Sequence, residues 1–99
     1  LNVMNMYGGE MSNERKFRVA LSKDALKYYR KVDERTANRL DHCFASLESD
    51  PFGEGDIRPL KGTKGRYRYR IGNLRVIYGV DVKDRIVRVF AIVPRGEAY

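Results

Sequence analysis

The chain has 99 residues, 42% of them hydrophobic, and its 20 Lys and Arg against 13 Asp and Glu leave a net charge of +7. That length supports one domain around a modest core and excludes two, and the apolar share excludes a wholly disordered polypeptide. No apolar run approaches the roughly 18–20 residues of a membrane helix, and the single cysteine, Cys43, excludes a disulfide framework and a thiolate metal cluster.

Residues 1–14 carry neither the charged nor the apolar region of a signal peptide and read as a flexible leader, with the folded domain expected over 15–99. Phe17, Val19 and Leu21 then alternate with Lys16, Arg18 and Ala20, the period of a half-buried strand. Ser22 offers a cap for a helix running to Lys31, whose apolar stripe is Ala25, Leu26, Tyr29 and Val32. Asp33 can cap a second helix with the stripe Leu40, Cys43, Phe44 and Leu47, ended by Ser49, Asp50 and Pro51. So short a link between helices predicts an antiparallel helical hairpin. Pro51, Gly53, Gly55, Pro59 and Gly62 mark residues 51–64 as loop.

Three strands are expected next. Tyr67, Tyr69 and Ile71 alternate with Arg66, Arg68 and Arg70. Gly72-Asn73 suits a two-residue hairpin turn with Gly first, and Leu74, Val76, Tyr78 and Val80 form the returning strand. Beyond the polar turn 81–85, Ile86–Val93 is nearly all apolar, as in a strand covered on both faces. The order is βααβββ, an α+β fold in which an antiparallel sheet packs on an N-terminal helical hairpin.

The charge is concentrated. Between Ile57 and Val80 lie Arg58, Lys61, Lys64, Arg66, Arg68, Arg70 and Arg75, with no Asp or Glu, while the rest of the chain is formally neutral. Such a patch is the footprint of a phosphate-backbone binder. If Gly72 and Asn73 form the turn, Arg70 lies directly opposite Arg75, and Arg66, Arg68, Arg70 and Arg75 share one sheet face. Folding gains nothing from like charges placed opposite each other, and a merely solvated face predicts mixed signs. Arg binds phosphate bidentately and stays charged at any working pH. No Walker loop, dinucleotide fingerprint or metal-spaced Cys/His set is present, so no cofactor or metal is expected. His42 is expected on the solvent side of its helix, away from the arginine face, and Cys43 in the core rather than as a nucleophile.

The segment Pro59-Leu-Lys-Gly-Thr-Lys-Gly-Arg-Tyr-Arg-Tyr-Arg-Ile-Gly-Asn-Leu-Arg-Val-Ile-Tyr78 resembles the RelE/ParE toxin superfamily in its Leu-x-Gly, Tyr-Arg-x-Arg and Gly-Asn-Leu-Arg-Val-Ile-Tyr elements. The tail Ile92-Val-Pro-Arg-Gly-Glu-Ala-Tyr99 is similar to its closing strand and Arg-x-x-x-Tyr motif, and the resemblance covers about residues 16–99. It implies the toxin of a type II toxin–antitoxin system, a cytoplasmic endoribonuclease that cuts mRNA in the ribosomal A site by metal-free attack of a ribose 2′-hydroxyl. Carried over by motif position, the catalytic set is Arg68, Arg70, Arg75, Arg95 and Tyr99. Arg58, Lys61, Lys64, Arg66, Lys27, Arg30 and Lys31 are expected to hold RNA or the ribosome. Pro94 stands where many relatives have His, leaving Tyr99 as the acid/base candidate. The implied partners are an acidic antitoxin, the ribosome and mRNA. Two alternatives stand beside this reading: a ParE-type inhibitor of DNA gyrase, and a non-catalytic RNA-binding or autorepressor subunit.

Overall fold

The computed structural model describes residues 16–53 and 55–94, so the expected leader and the tail residues Arg95 and Tyr99 lie outside it. Seven elements follow in chain order: β1 (Arg18–Leu21), α1 (Lys23–Lys31), α2 (Glu34–Ser49), β2 (Asp56–Pro59), β3 (Arg66–Ile71), β4 (Leu74–Asp81) and β5 (Ile86–Pro94). The strands form one sheet in the order β1-β5-β4-β3-β2. Both helices cover a single face of it, as an α+β fold requires.

The helices begin where their caps stand. Ser22 Oγ accepts the Ala25 N–H at 3.0 Å, and Asp33 Oδ1 accepts the Thr36 N–H at 2.9 Å. The expected α2 stripe is buried, and it packs with Ala25 on Val76, Tyr78, Val87, Val89 and Ile92. Tyr29 joins the helices by a tilted ring contact with Phe44 and by donating to Asp41 Oδ1 at 2.7 Å. Glu48 is also buried, on the side of α2 that meets β1. Its carboxylate accepts the Val19 N–H at 3.0 Å, and its carbonyl accepts the Lys16 and Phe17 N–H groups at 2.9 Å. Arg18 and Ser22 donate toward β5, so Val19 N–H points off the sheet edge, where Glu48 satisfies it.

The sheet departs from expectation in three ways. A fifth strand, β2, lies inside the segment read as loop: Asp56–Pro59 pairs antiparallel with Tyr67–Arg70, and its glycines and prolines bound the strand rather than interrupt it. Edge position explains its tolerance of Pro59. The sheet is mixed, because β1 runs parallel to β5, with Val19 beside Val87. The helical hairpin and the β2–β5 meander together make the long crossover such a pairing needs. Finally, β5 is covered on one face only. Its register against β4 shifts between Ile77/Ala91 and Tyr78/Val89, leaving Phe90 as an extra residue. This bulge breaks the alternation, which is why a half-covered strand looked uniformly apolar in sequence.

Candidate nucleic-acid interface

The β3–β4 hairpin has the expected register. Ile71 pairs with Leu74 and Arg70 with Arg75. Gly72 takes φ 54°, the left-handed conformation that puts Gly first in this turn, whereas Asn73 stays in the ordinary region. Side-chain alternation then sends Tyr67, Tyr69, Leu74, Val76 and Tyr78 to the helices. Arg66, Arg68, Arg70 and Arg75 go to the opposite, uncovered face. Strand β2 adds Arg58, whose register partner is Arg68.

Two of these guanidiniums, those of Arg68 and Arg75, are not loosely solvated. The Arg68 side chain is only 15% exposed. Its Nη1 and the Nε of Arg75 are buried and find no hydrogen-bond acceptor among the described residues. Ile77, on the same face, is buried between Arg68 on β3 and Ala91 on β5. The centre of the face is therefore a packed, partly desolvated floor in which charge acts more strongly than in open water.

A carboxylate enters the arginine cluster, so the face is not of a single sign. Asp56 lies across from Arg70, and its oxygens are 3.8 Å from Arg58 Nε, Arg68 Nη1 and Arg70 Nε. Asp56 stands one residue outside the acid-free segment, and only the pairing of β2 brings it in. Sequence reasoning missed it because that strand was missed.

The remaining candidates divide. Lys61 and Lys64 are exposed in the β2–β3 connection, beside the arginine face. Lys27, Arg30 and Lys31 lie on α1, in the helical layer on the other side of the sheet, and do not join the arginines. Arg95 and Tyr99 lie outside the described residues. His42 lines an open groove of about 720 Å³ with Arg39, Asp56, Tyr69 and Arg70, so it is nearer the basic edge than helical angles implied. Cys43 is in the core, where burial pushes its thiol up to about 12 and keeps it protonated and unreactive. Burial likewise raises the Tyr78 phenol, which donates to the Pro51 carbonyl at 2.8 Å. Among the described residues, no three His, Cys, Asp or Glu side chains group closely enough to hold a metal ion, and no helix is long and apolar enough to cross a membrane.

A hairpin of helices on a five-stranded mixed sheet, with a basic floor on the uncovered face, defines a class. Residues 15–99 match the family described as ParE toxin of type II toxin–antitoxin system, parDE, and the chain belongs to this RelE/ParE superfamily of toxins. A Methanocaldococcus jannaschii protein named as a candidate RelE1 toxin is 34% identical over 86 residues, covering 85% of this chain and 96% of its own. The archaeal RelE–RelB complex of Pyrococcus horikoshii contains a chain of the same fold with a TM-score of 0.73 at 31% identity, covering 84% of this chain and 99% of that one. The isolated Escherichia coli RelE toxin has a TM-score of 0.70 at 19% identity, covering 83% of this chain and 87% of its own, a likeness of fold.

Proposed function

We propose that this toxin is a RelE-type endoribonuclease that cleaves mRNA on the ribosome, in the cytoplasm, and is held in check by an acidic antitoxin. One observation carries the reading. Arg70 faces Arg75 beside a nearly buried Arg68, and buried N–H groups of Arg68 and Arg75 have no acceptor among the described residues. Buried donors left without acceptors are costly, and a phosphate at this floor would supply acceptors to both side chains once they turn outward to meet it.

The chemistry follows from charge. When a ribose 2′-hydroxyl attacks the neighbouring phosphate, the phosphorus becomes five-coordinate and its oxygens gain negative charge. The 2′-proton departs to a base, and the 5′-oxygen leaves with a proton, giving a cyclic 2′,3′-phosphate and a 5′-hydroxyl. Arg75 and, by motif position, Arg95 would stabilise that charge, while Arg68 and Arg70 orient the phosphate. Tyr99 would carry a proton or stack on the base. Lys61 and Lys64 serve affinity by touching the RNA backbone. The antitoxin follows from complementarity: an acidic partner with an amphipathic helix would cover the arginine face or displace the tail bearing Tyr99.

Primer extension after induction tests this reading. New mRNA 5′ ends at codons in the A site are expected. Intact transcripts with accumulating chromosomal breaks would instead establish gyrase poisoning, the reading favoured by the ParE description of the matching family. The roles are tested by substitution. Removing one preorganised donor to a transition-state oxyanion typically costs about 2.7–4 kcal/mol. Arg75→Ala should therefore abolish cleavage while ribosome binding is largely kept, and Lys64→Ala should weaken binding in a salt-dependent way and spare cleavage at saturation. If the two behave alike in single-turnover cleavage, the arginine face is only a docking surface.

A further inference from the structure

The uncovered face has a second centre, away from the Arg70–Arg75 pair. The bulge in β5 places Phe90 there, and the Arg66 guanidinium lies over its ring at 4.2 Å from the centroid. The ring's close approach depends on Gly79: a Cβ at that position would meet Phe90 Cε2 at 3.1 Å. Around this pair is an open hollow of about 230 Å³ lined by Lys64, Arg66, Gly79, Asp81, Arg88 and Phe90. Asp81 is held in place, with the Asp84 N–H donating to Oδ1 at 3.0 Å and Arg88 Nη2 3.9 Å from Oδ2.

An aromatic ring on the uncovered face of a sheet does nothing for the core, and a bulge is the device by which a strand re-aims one side chain. Phe90 and Arg66 are both half-buried, so the planar pair is in part open to solvent. Its position matters as well. Arg66 lies four residues from Arg70 on the same strand, roughly 13 Å at about 3.3 Å per residue, a span one phosphate cannot bridge. A carboxylate in the hollow disfavours phosphate and suits the N–H donors of a base edge. We infer that the Arg66–Phe90 pair is a stacking subsite for one unpaired nucleobase of an RNA strand whose backbone crosses the arginine floor. The inference deepens the proposed function and rests on it only for RNA as the ligand. Single-stranded RNA is commonly read in this way, by bases stacked on aromatic rings and guanidinium planes.

The test measures binding, not cleavage. Short single-stranded oligonucleotides with 2′-deoxy sugars throughout, with bases or fully abasic, are titrated against the full chain by fluorescence polarisation. Wild type should prefer the base-bearing strand by roughly tenfold, the ordinary range for one stacked base. Phe90→Leu and Arg66→Met should each bring that preference below about threefold, while affinity for the abasic strand falls only with the lost charge in Arg66→Met and holds in Phe90→Leu. Phe90→Trp keeps a stacking surface and supplies a readout if Phe90→Leu folds poorly: its emission should be quenched by the base-bearing strand and not by the abasic one. Equal binding of both strands by wild type, or an unquenched Phe90→Trp, overturns the subsite. A wild-type chain that prefers bases here yet cuts no transcript would leave the subsite standing and remove the cleavage reading.

Discussion

Asp56 shows how one residue sets the character of the basic face. Its carboxylate sits 3.8 Å from three guanidinium nitrogens, competing with any phosphate that approaches Arg58, Arg68 or Arg70. The ion pairs themselves hold little of the fold together, because Asp56 and Arg58 are largely exposed and such pairs are worth at most about 1 kcal/mol before salt screening. Asp56→Asn should therefore leave stability within about 1 kcal/mol and tighten binding to single-stranded RNA at low salt. The slope of log affinity against log salt should steepen by about 0.7 for each additional phosphate the freed arginines neutralise. Filter binding at several salt concentrations, beside urea melts, checks both. A flat slope with a marked loss of stability would make Asp56 a strut of the β2 edge instead. Of these four residues the sequence exposed Arg68 and Arg70 through their alternation and Arg58 through the charge of its segment, but not the carboxylate, because four residues of edge strand bounded by glycines carry no period of their own.

At the scale of elements, the joint between α1 and β5 is the most informative. Ser22 Oγ accepts from the Ala25 N–H and donates to the Phe90 carbonyl at 2.8 Å, so one hydroxyl caps the helix and pins the bulge that turns Phe90 outward. Ser22→Ala should lose about 1–3.5 kcal/mol, a cap of about 0.5–2 and a half-buried hydrogen bond of about 0.5–1.5 taken together. Asp33→Ala, which removes a fully exposed cap with no second bond, should cost less. Ser22→Thr should restore most of the loss. Denaturant midpoints with an unchanged m value would measure this, and equal losses for Ser22→Ala and Asp33→Ala would show that the bond to Phe90 contributes nothing. Both caps were legible from single residues before apolar stripes. The bond to β5, sixty-eight residues away, was not.

The whole molecule has a small core, and its titratable members make stability depend on alkaline pH. Burial raises the Cys43 thiol from 9.0 to about 12. Tyr29, donating to Asp41 and partly buried, rises from 10.0 to about 12, and burial moves Tyr78 upward too. Each group has a folded value above its unfolded one, so the native state binds more protons than the unfolded chain once pH exceeds the unfolded value. Stability from Cys43 is full below pH 9.0 and is lost as pH rises toward about 12; the tyrosines add to the loss above 10.0. Urea melts across this range should fall from about pH 9, and Cys43→Ala should delay the onset toward about pH 10 at some cost in overall stability. An onset unmoved by Cys43→Ala would mean that another group governs alkaline unfolding.

Local pattern alone determined much of this toxin. Among the described residues, alternation, caps and a Gly-Asn turn located both helices, four of the five strands and the opposition of Arg70 and Arg75, because each depends on neighbours a few residues apart. The motif order from Pro59 to Tyr78 led to the superfamily for the same reason. Tertiary structure alone decided which faces are covered and what meets across them. It paired β2 with β3 and brought Asp56 among the arginines, set β1 parallel to β5, gave Glu48 the outward N–H of Val19, and assembled Arg66, Gly79 and Phe90 from three strands. Those contacts join residues distant in the chain, and their energy comes from packing and pairing that no local period encodes.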